Sequence, residues 1–186
     1  MFSERIRKMK PYFRVMYNTA KMQWLRKFKC SSFATDGIQL FGWNTKISVQ
    51  RSSNVHFGRK VNSDGRLTIF VGENAKLTIG DSVYFNEGCM LSSHESITIG
   101  DHCLFGPNVM VIDNDHEYSR DGVSTNVVSA PITIGNNCWI GANAVILRGT
   151  TIGDNCVIGA GCIVKGNIPD SSKVTQDRKL NIEELK

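Results

Sequence analysis

A large aliphatic residue recurs every six positions in the C-terminal half of this chain, at Ile134, Ile140, Ile146, Ile152, Ile158 and Val164. Four places after each of the first five stands a small residue (Cys138, Ala144, Thr150, Cys156, Cys162), and Gly follows the aliphatic at Gly135, Gly141, Gly153 and Gly159. Six residues make one short strand and one corner, so three units close a triangular coil of 18 residues. Residue i then lies on residue i+18: Ile134 on Ile152, Ile140 on Ile158, Ile146 on Val164. Aliphatics fill the prism, small residues fit its corners, and the glycines are expected to permit tight turning. Each coil covers the apolar face of the next, so stability accrues by stacking.

Upstream the rhythm is looser. Ile79-Gly80-Asp81 and Ile99-Gly100-Asp101 repeat it, with degenerate copies at Val71-Gly72-Glu73 and Phe57-Gly58-Arg59. The coil is expected to start near residue 38 or 55 and to end at Pro169. This gives a mainly β chain with three parts: a basic helical segment over 1–30, a β-domain over 31–169 and a tail over 170–186. Cys89, Cys103, Cys138, Cys156 and Cys162 all fall in the small inward slot, where a free thiol behaves as a small hydrophobe. They therefore predict neither disulfides nor a metal site; Cys30 stands apart.

The rhythm breaks once. Val111-Ile112-Asp113-Asn114-Asp115-His116 leaves a strand, and the pattern resumes only at Ile132. The stretch 117–130 is polar, carries a turn signal at Asp121-Gly122, and must be extruded as a loop. Loops held on a rigid scaffold are common places for function.

In residues 1–30, nine Lys and Arg stand against Glu4 alone, a net +8 in a chain whose total is +5, so the remainder carries −3. One basic end on a mildly acidic body argues for an anionic neighbour there and against a nucleic-acid-binding domain. Ile6, Met9, Phe13, Met16, Tyr17, Ala20, Trp24 and Phe28 form one helical stripe with Lys and Arg on the other face, and Pro11 starts or breaks the helix. Such a helix either caps the open end of the prism or lies on an anionic membrane surface, and the two are compatible. No apolar run is long enough to span a bilayer, and the charged N-terminus does not read as a secretory signal, so a cytoplasmic, membrane-peripheral location is expected.

Pro131-Ile132-Thr133-Ile134-Gly135-Asn136-Asn137-Cys138-Trp139-Ile140-Gly141-Ala142, continued by Gly149 to Gly161 and by Ile168-Pro169, resembles the hexapeptide-repeat acyltransferases over residues 70–170. The similarity is to the maltose, galactoside and nodulation-factor O-acetyltransferases and their capsule and O-antigen relatives. The resemblance implies a left-handed parallel β-helix, acetyl-CoA as acyl donor, a sugar or glycan acceptor, and a homotrimer with sites between subunits. It implies that His116 is the catalytic histidine, that Asn86 and Trp139 contact the acceptor, and that the backbone at Ala142 and Ala160 touches the pantetheine arm or thioester. Departures are His116-Glu117, where sugar acetyltransferases carry His-Pro, and a tail lacking the Gly-x-Pro-Ala-like segment; Lys165 is placed to meet a CoA phosphate.

The chemistry fits. A hydroxyl attacks a thioester only as its proton is removed, and an imidazole suits that role near neutrality. A backbone N–H at Gly141 or Ala142 is the candidate oxyanion donor. Asp113 is a candidate acceptor contact. No metal is expected, because no histidine spacing supports one. N-acetylation of a nucleotide-linked amino sugar and a non-catalytic β-helix scaffold remain alternatives, as does a metal-dependent carbonic anhydrase on the same fold.

Overall fold

The computed structural model describes residues 11–28, 32–120 and 122–177. From Ser32 the chain winds into a left-handed parallel β-helix of about 6 turns. The first face stacks Ser32–Thr35, Asn54–Phe57, Lys76–Ile79, Ser96–Ile99, Ile132–Ile134, Thr151–Ile152 and Asn167–Ile168. The second stacks Asn62–Ser63, Tyr84–Phe85, Leu104–Phe105, Trp139–Ile140, Val157–Ile158 and Lys173–Val174. The third stacks Lys46–Val49, Thr68–Val71, Met90–Ser93, Met110–Ile112, Val145–Leu147 and Ile163–Val164. The register is that of the repeat: Ile134 on Ile152, Ile140 on Ile158, Ile146 on Val164.

The coil is longer than its aliphatic rhythm. It starts at Ser32, and its last rung pairs Lys173 with Val157 and Val174 with Ile158, inside the segment assigned to the tail. The tail keeps the corner chemistry without the Ile-Gly pair: the Asp170 carboxylate accepts from Asp154 N at 2.9 Å.

Alternate side chains point inward and are buried, so the core is one continuous column. Towards the N-terminal end Phe takes the place of Ile: Phe41 and Phe33 pack edge-on against Phe57, and Phe85 stacks on Phe105 at 4.6 Å between centroids. Cys89, Cys103, Cys138, Cys156 and Cys162 are buried free thiols, as their slot predicts. The Cys103, Cys138 and Cys156 thiols donate to the Gly135, Gly153 and Pro169 carbonyls at 3.0–3.1 Å.

The glycines after the aliphatics do a different job from the one expected. The left-handed backbone at these corners is carried by non-glycine residues: Lys60, Ser82, His102, Asn137, Asn155 and Ser171 have φ between 56° and 59°. Asn tolerates that region through its short polar side chain. The glycines answer a steric demand: a Cβ on Gly135 would stand 2.7 Å from the Gly153 carbonyl carbon and 2.8 Å from Asp154 N. The polar residue after these glycines, and after Pro169 in the last coil, bonds the coil before it. Asp81, Asp101, Asn136, Asp154 and Asp170 accept in turn from the backbone N–H of Arg59, Asp81, Asp101, Asn136 and Asp154, at 2.6–2.9 Å.

The N-terminal helix, Pro11–Phe28, lies across the open end of the prism. Its contact face is not the aromatic stripe. Asn18, Met22 and Leu25 are buried, while Phe13, Met16, Tyr17 and Trp24 are exposed. Arg14 turns inward and donates to the carbonyls of Leu40, Phe41 and Ser63 and to Asn62 Oδ1. Asn18 Nδ2 donates to Phe41 O at 3.1 Å, and Lys21 Nζ donates to Thr45 O at 2.6 Å. The first coil has no coil before it to accept from, so its carbonyls need donors, and long polar side chains reach them where aromatic ones cannot. Burial lowers the Arg14 and Lys21 pKa values. Ile6, Met9 and Cys30 lie outside the described residues.

Candidate functional site

The break in the rhythm is a β-hairpin. Asn114–Ser119 pairs antiparallel with Gly122–Ser129, and the first strand carries His116 opposite Val127. The hairpin leaves after Ile112 on the third face and returns at Ile132 on the first, so it projects from the edge between them. His116 is exposed, in the body of a strand and not at its end.

Two carboxylates fix the base of the hairpin. Asp113 is 0% exposed. Its oxygens accept from the consecutive N–H groups of His94 (2.7 Å), Glu95 (2.9 Å) and Ser96 (2.8 Å), and from Ser93 Oγ at 3.1 Å. Asp113 is therefore corrected from acceptor contact to anchor: it continues the inward alternation of Val111, and at the edge that alternation aims it at a turn whose N–H groups form an anion nest. Asp115 accepts from Arg148 Nε at 2.6 Å, tying the strand beside His116 to the next coil. Arg148 carries no signal in the sequence, since its partner lies 33 residues away and only coiling brings the two together.

The other candidates lie elsewhere. Trp139, on the second face, is 55% exposed, beside Leu104 in the adjoining rung. Asn86, Gly141, Ala142 and Ala160 follow second-face strands, along the edge between the second and third faces. Asn86 Oδ1 accepts from Glu87 N at 2.7 Å. The Gly141 N–H already donates to Ile158 O at 2.7 Å, which removes it as an oxyanion donor; the Ala142 N–H donates to no backbone carbonyl among the described residues. Lys165 is exposed and follows the third-face strand Ile163–Val164, so it stands on the hairpin's edge, along from Arg148.

The candidates thus form two groups. His116, Asp115, Arg148 and Lys165 occupy the edge between third and first faces, with Asp113 buried beneath. Trp139, Asn86, Ala142 and Ala160 occupy the second face and its far edge. The third face separates the two edges, so one chain does not bring His116 to Trp139.

Burial pushes the Cys89 thiol up to about 11, so it stays protonated at neutral pH and is no acyl-enzyme nucleophile. Among the described residues no group of three or more His, Cys, Asp or Glu is placed to hold a metal ion, and no helix is long and apolar enough to cross a membrane.

Comparison with known proteins finds the same repeat elsewhere. The hexapeptide repeat of succinyl-transferase matches residues 131–165, the most regular coils. The galactoside O-acetyltransferase of Escherichia coli is 41% identical over 105 residues, 54% of this chain and 50% of that protein. The chain carries that repeat and is similar in sequence to acetyltransferases. A probable acetyltransferase of Mycobacterium tuberculosis is 30% identical over 191 residues, 91% of this chain and 63% of that protein. The chain therefore spans between half and two thirds of the length of these two relatives. The fold matches a variant of AntD, an N-acyltransferase from Bacillus cereus, solved with dTDP-4-amino-4,6-dideoxyglucose and coenzyme A. That match has a TM-score of 0.62 at 19% identity, over 88% of this chain and 89% of the other.

Proposed function

We propose that this hexapeptide-repeat chain transfers an acetyl group from acetyl-CoA to a hydroxyl of a sugar or glycan, in assembly of a surface polysaccharide such as capsule or O-antigen. One observation carries the reading: the coil is interrupted once, and the interruption delivers an exposed imidazole on a strand pinned by Asp113 below and by Arg148 at its side.

In the proposed mechanism His116 takes the proton from the acceptor hydroxyl as its oxygen attacks the thioester carbonyl. The Ala142 N–H receives the oxyanion, and His116 then protonates the departing thiolate. Transfer is direct, in a ternary complex, with the acetyl carbonyl carbon losing sulfur and gaining oxygen.

His116 and Ala142 stand on different edges, so the site is completed by a second copy, in a homotrimer whose neighbouring prism offers its second face to the hairpin. The hairpin exposes Tyr118, Val123, Val127 and Val128, and the second face exposes Leu104 and Trp139. Apolar surfaces on both partners suit such a contact. The basic N-terminal segment gives the enzyme a membrane-peripheral place in the cytoplasm.

A second reading, N-acylation of a nucleotide-linked amino sugar, is favoured by the AntD likeness and uses the same histidine. Acetyl-CoA turnover on a panel of sugars, glycans and amino sugars separates the two. His116→Ala is expected to lose transfer by about 10²–10⁴-fold while retaining CoA binding. Unchanged turnover in that variant removes His116 from the chemistry. A wild-type chain that neither binds CoA nor turns it over is a scaffold.

A further inference from the structure

The helix that closes the prism is turned the wrong way round for a helix whose only task is to close it. Its side chains with hydrogen-bonding reach, Arg14, Asn18 and Lys21, point into the coil. The rest of its apolar stripe points out: Phe13 is 42% exposed, Met16 64% and Trp24 51%, while Tyr17 at the stripe's border packs its ring on Trp43, 4.8 Å between centroids. These residues and Ala20 fall at helical spacings of three and four, so they form one continuous strip on the side opposite Asn18, Met22 and Leu25. Arg26 and Lys27 are exposed towards the end of the strip, and Arg5, Arg7, Lys8 and Lys10 precede it in the chain.

We infer that this strip is a docking surface for an anionic lipid bilayer. Trp and Tyr rings settle at the boundary between headgroups and acyl chains, with Phe and Met reaching further in, and flanking cations meet the anionic headgroups. A second copy is the poorer occupant: end-to-end pairing of two caps would set two segments of net +8 against each other, whereas an anionic surface neutralises them. The inward turn of Arg14 and Lys21 matters here. Those two charges are committed to the coil's carbonyls, so attachment rests on insertion of the strip as well as on charge.

Docking fixes where the chemistry occurs. The helix packs on Ser32–Thr35, and the hairpin returns into Ile132–Ile134, four rungs along the same face. At 4.7–4.9 Å per rung the hairpin's edge stands roughly 19 Å beyond the cap. Resting on the proposed acyl transfer, this makes the acceptor a glycan carried on a membrane lipid, modified on a sugar held away from the headgroups. In a trimer of parallel prisms three strips would lie in one plane and bind with avidity.

The test is flotation of the full chain with phosphatidylcholine vesicles, with and without phosphatidylglycerol. Wild type is expected to float with the anionic vesicles and to stay behind with the neutral ones. Met16→Ser/Trp24→Ser is expected to lose about tenfold or more of that binding, with turnover on a soluble sugar unchanged as the check that it folds. Met16→Lys adds attraction while removing insertion; weaker binding supports the proposal, and stronger binding overturns it by showing that charge alone holds the chain. Absence of wild-type flotation overturns it, and so does a double variant whose mass by light scattering falls below that of wild type, which would assign the strip to contact between copies. His116→Ala should float as wild type does, so failure of the transfer reading and failure of the docking reading are separately visible.

Discussion

Replacing Asp113 tests whether this carboxylate builds the site or touches a substrate. Asp113→Ala removes the acceptor of four hydrogen bonds and leaves the N–H groups of His94, Glu95 and Ser96 facing nothing. An orphaned buried donor costs about 1–3 kcal/mol, and these three are only partly buried, which favours the low end of that range. Removing a fully buried charge returns part of the loss, so the net destabilisation is roughly 2–4 kcal/mol. Asp113→Asn is milder. Its single oxygen can replace Oδ2, which serves Ser93, Glu95 and Ser96, but its amide then meets the His94 N–H donor to donor. That variant should lose about 1–2 kcal/mol. Urea unfolding gives both values, and steady-state kinetics on the same proteins give KM for the acceptor. The reasoning fails if Asp113→Ala loses less than about 1 kcal/mol while acceptor KM rises about tenfold with CoA binding unchanged, since that pattern marks a lost substrate contact.

Arg14→Met should destabilise the capped end by about 2–3 kcal/mol, and hydrogen exchange should show lost protection confined to the first coil, because a solenoid couples mainly through neighbouring rungs. Gly135→Ala should cost about 1–3 kcal/mol in the unfolding midpoint, since its Cβ would press on the next coil's backbone. Asn137→Gly should be nearly neutral, while Asn137→Val, with φ at 56°, should lose about 1–2 kcal/mol. In the native state a thiol reagent should leave Cys89, Cys103, Cys138, Cys156 and Cys162 unlabelled at neutral pH, and all five should react once urea unfolds the chain. Rapid native labelling of Cys89 would contradict both its burial and its raised pKa.

The repeat was readable because its information is local and reiterated: each coil writes the same inward aliphatic and small corner residue, and the 18-residue spacing sets the register. The single break was readable for the same reason, and it located His116. Three other features were not. The glycines were misread because the sequence shows which residues adjoin a corner but not which backbone passes behind it. Asp113 reads as an acceptor contact in the sequence because its partners, Ser93 to Ser96, are brought beneath it only by stacking. The helix's orientation was open: amphipathic spacing shows that two faces differ, while the hydrogen-bonding needs of the first coil choose which one turns inward.

What the chain's own residues determined is the three-sided coil, its register and the place where it is interrupted, because these follow from a period. What only the tertiary structure decided is which side chains share an edge: His116 with Arg148, and Trp139 on a face that His116 does not reach. Edges are made by winding, so residues far apart in sequence become neighbours there and residues close in sequence part.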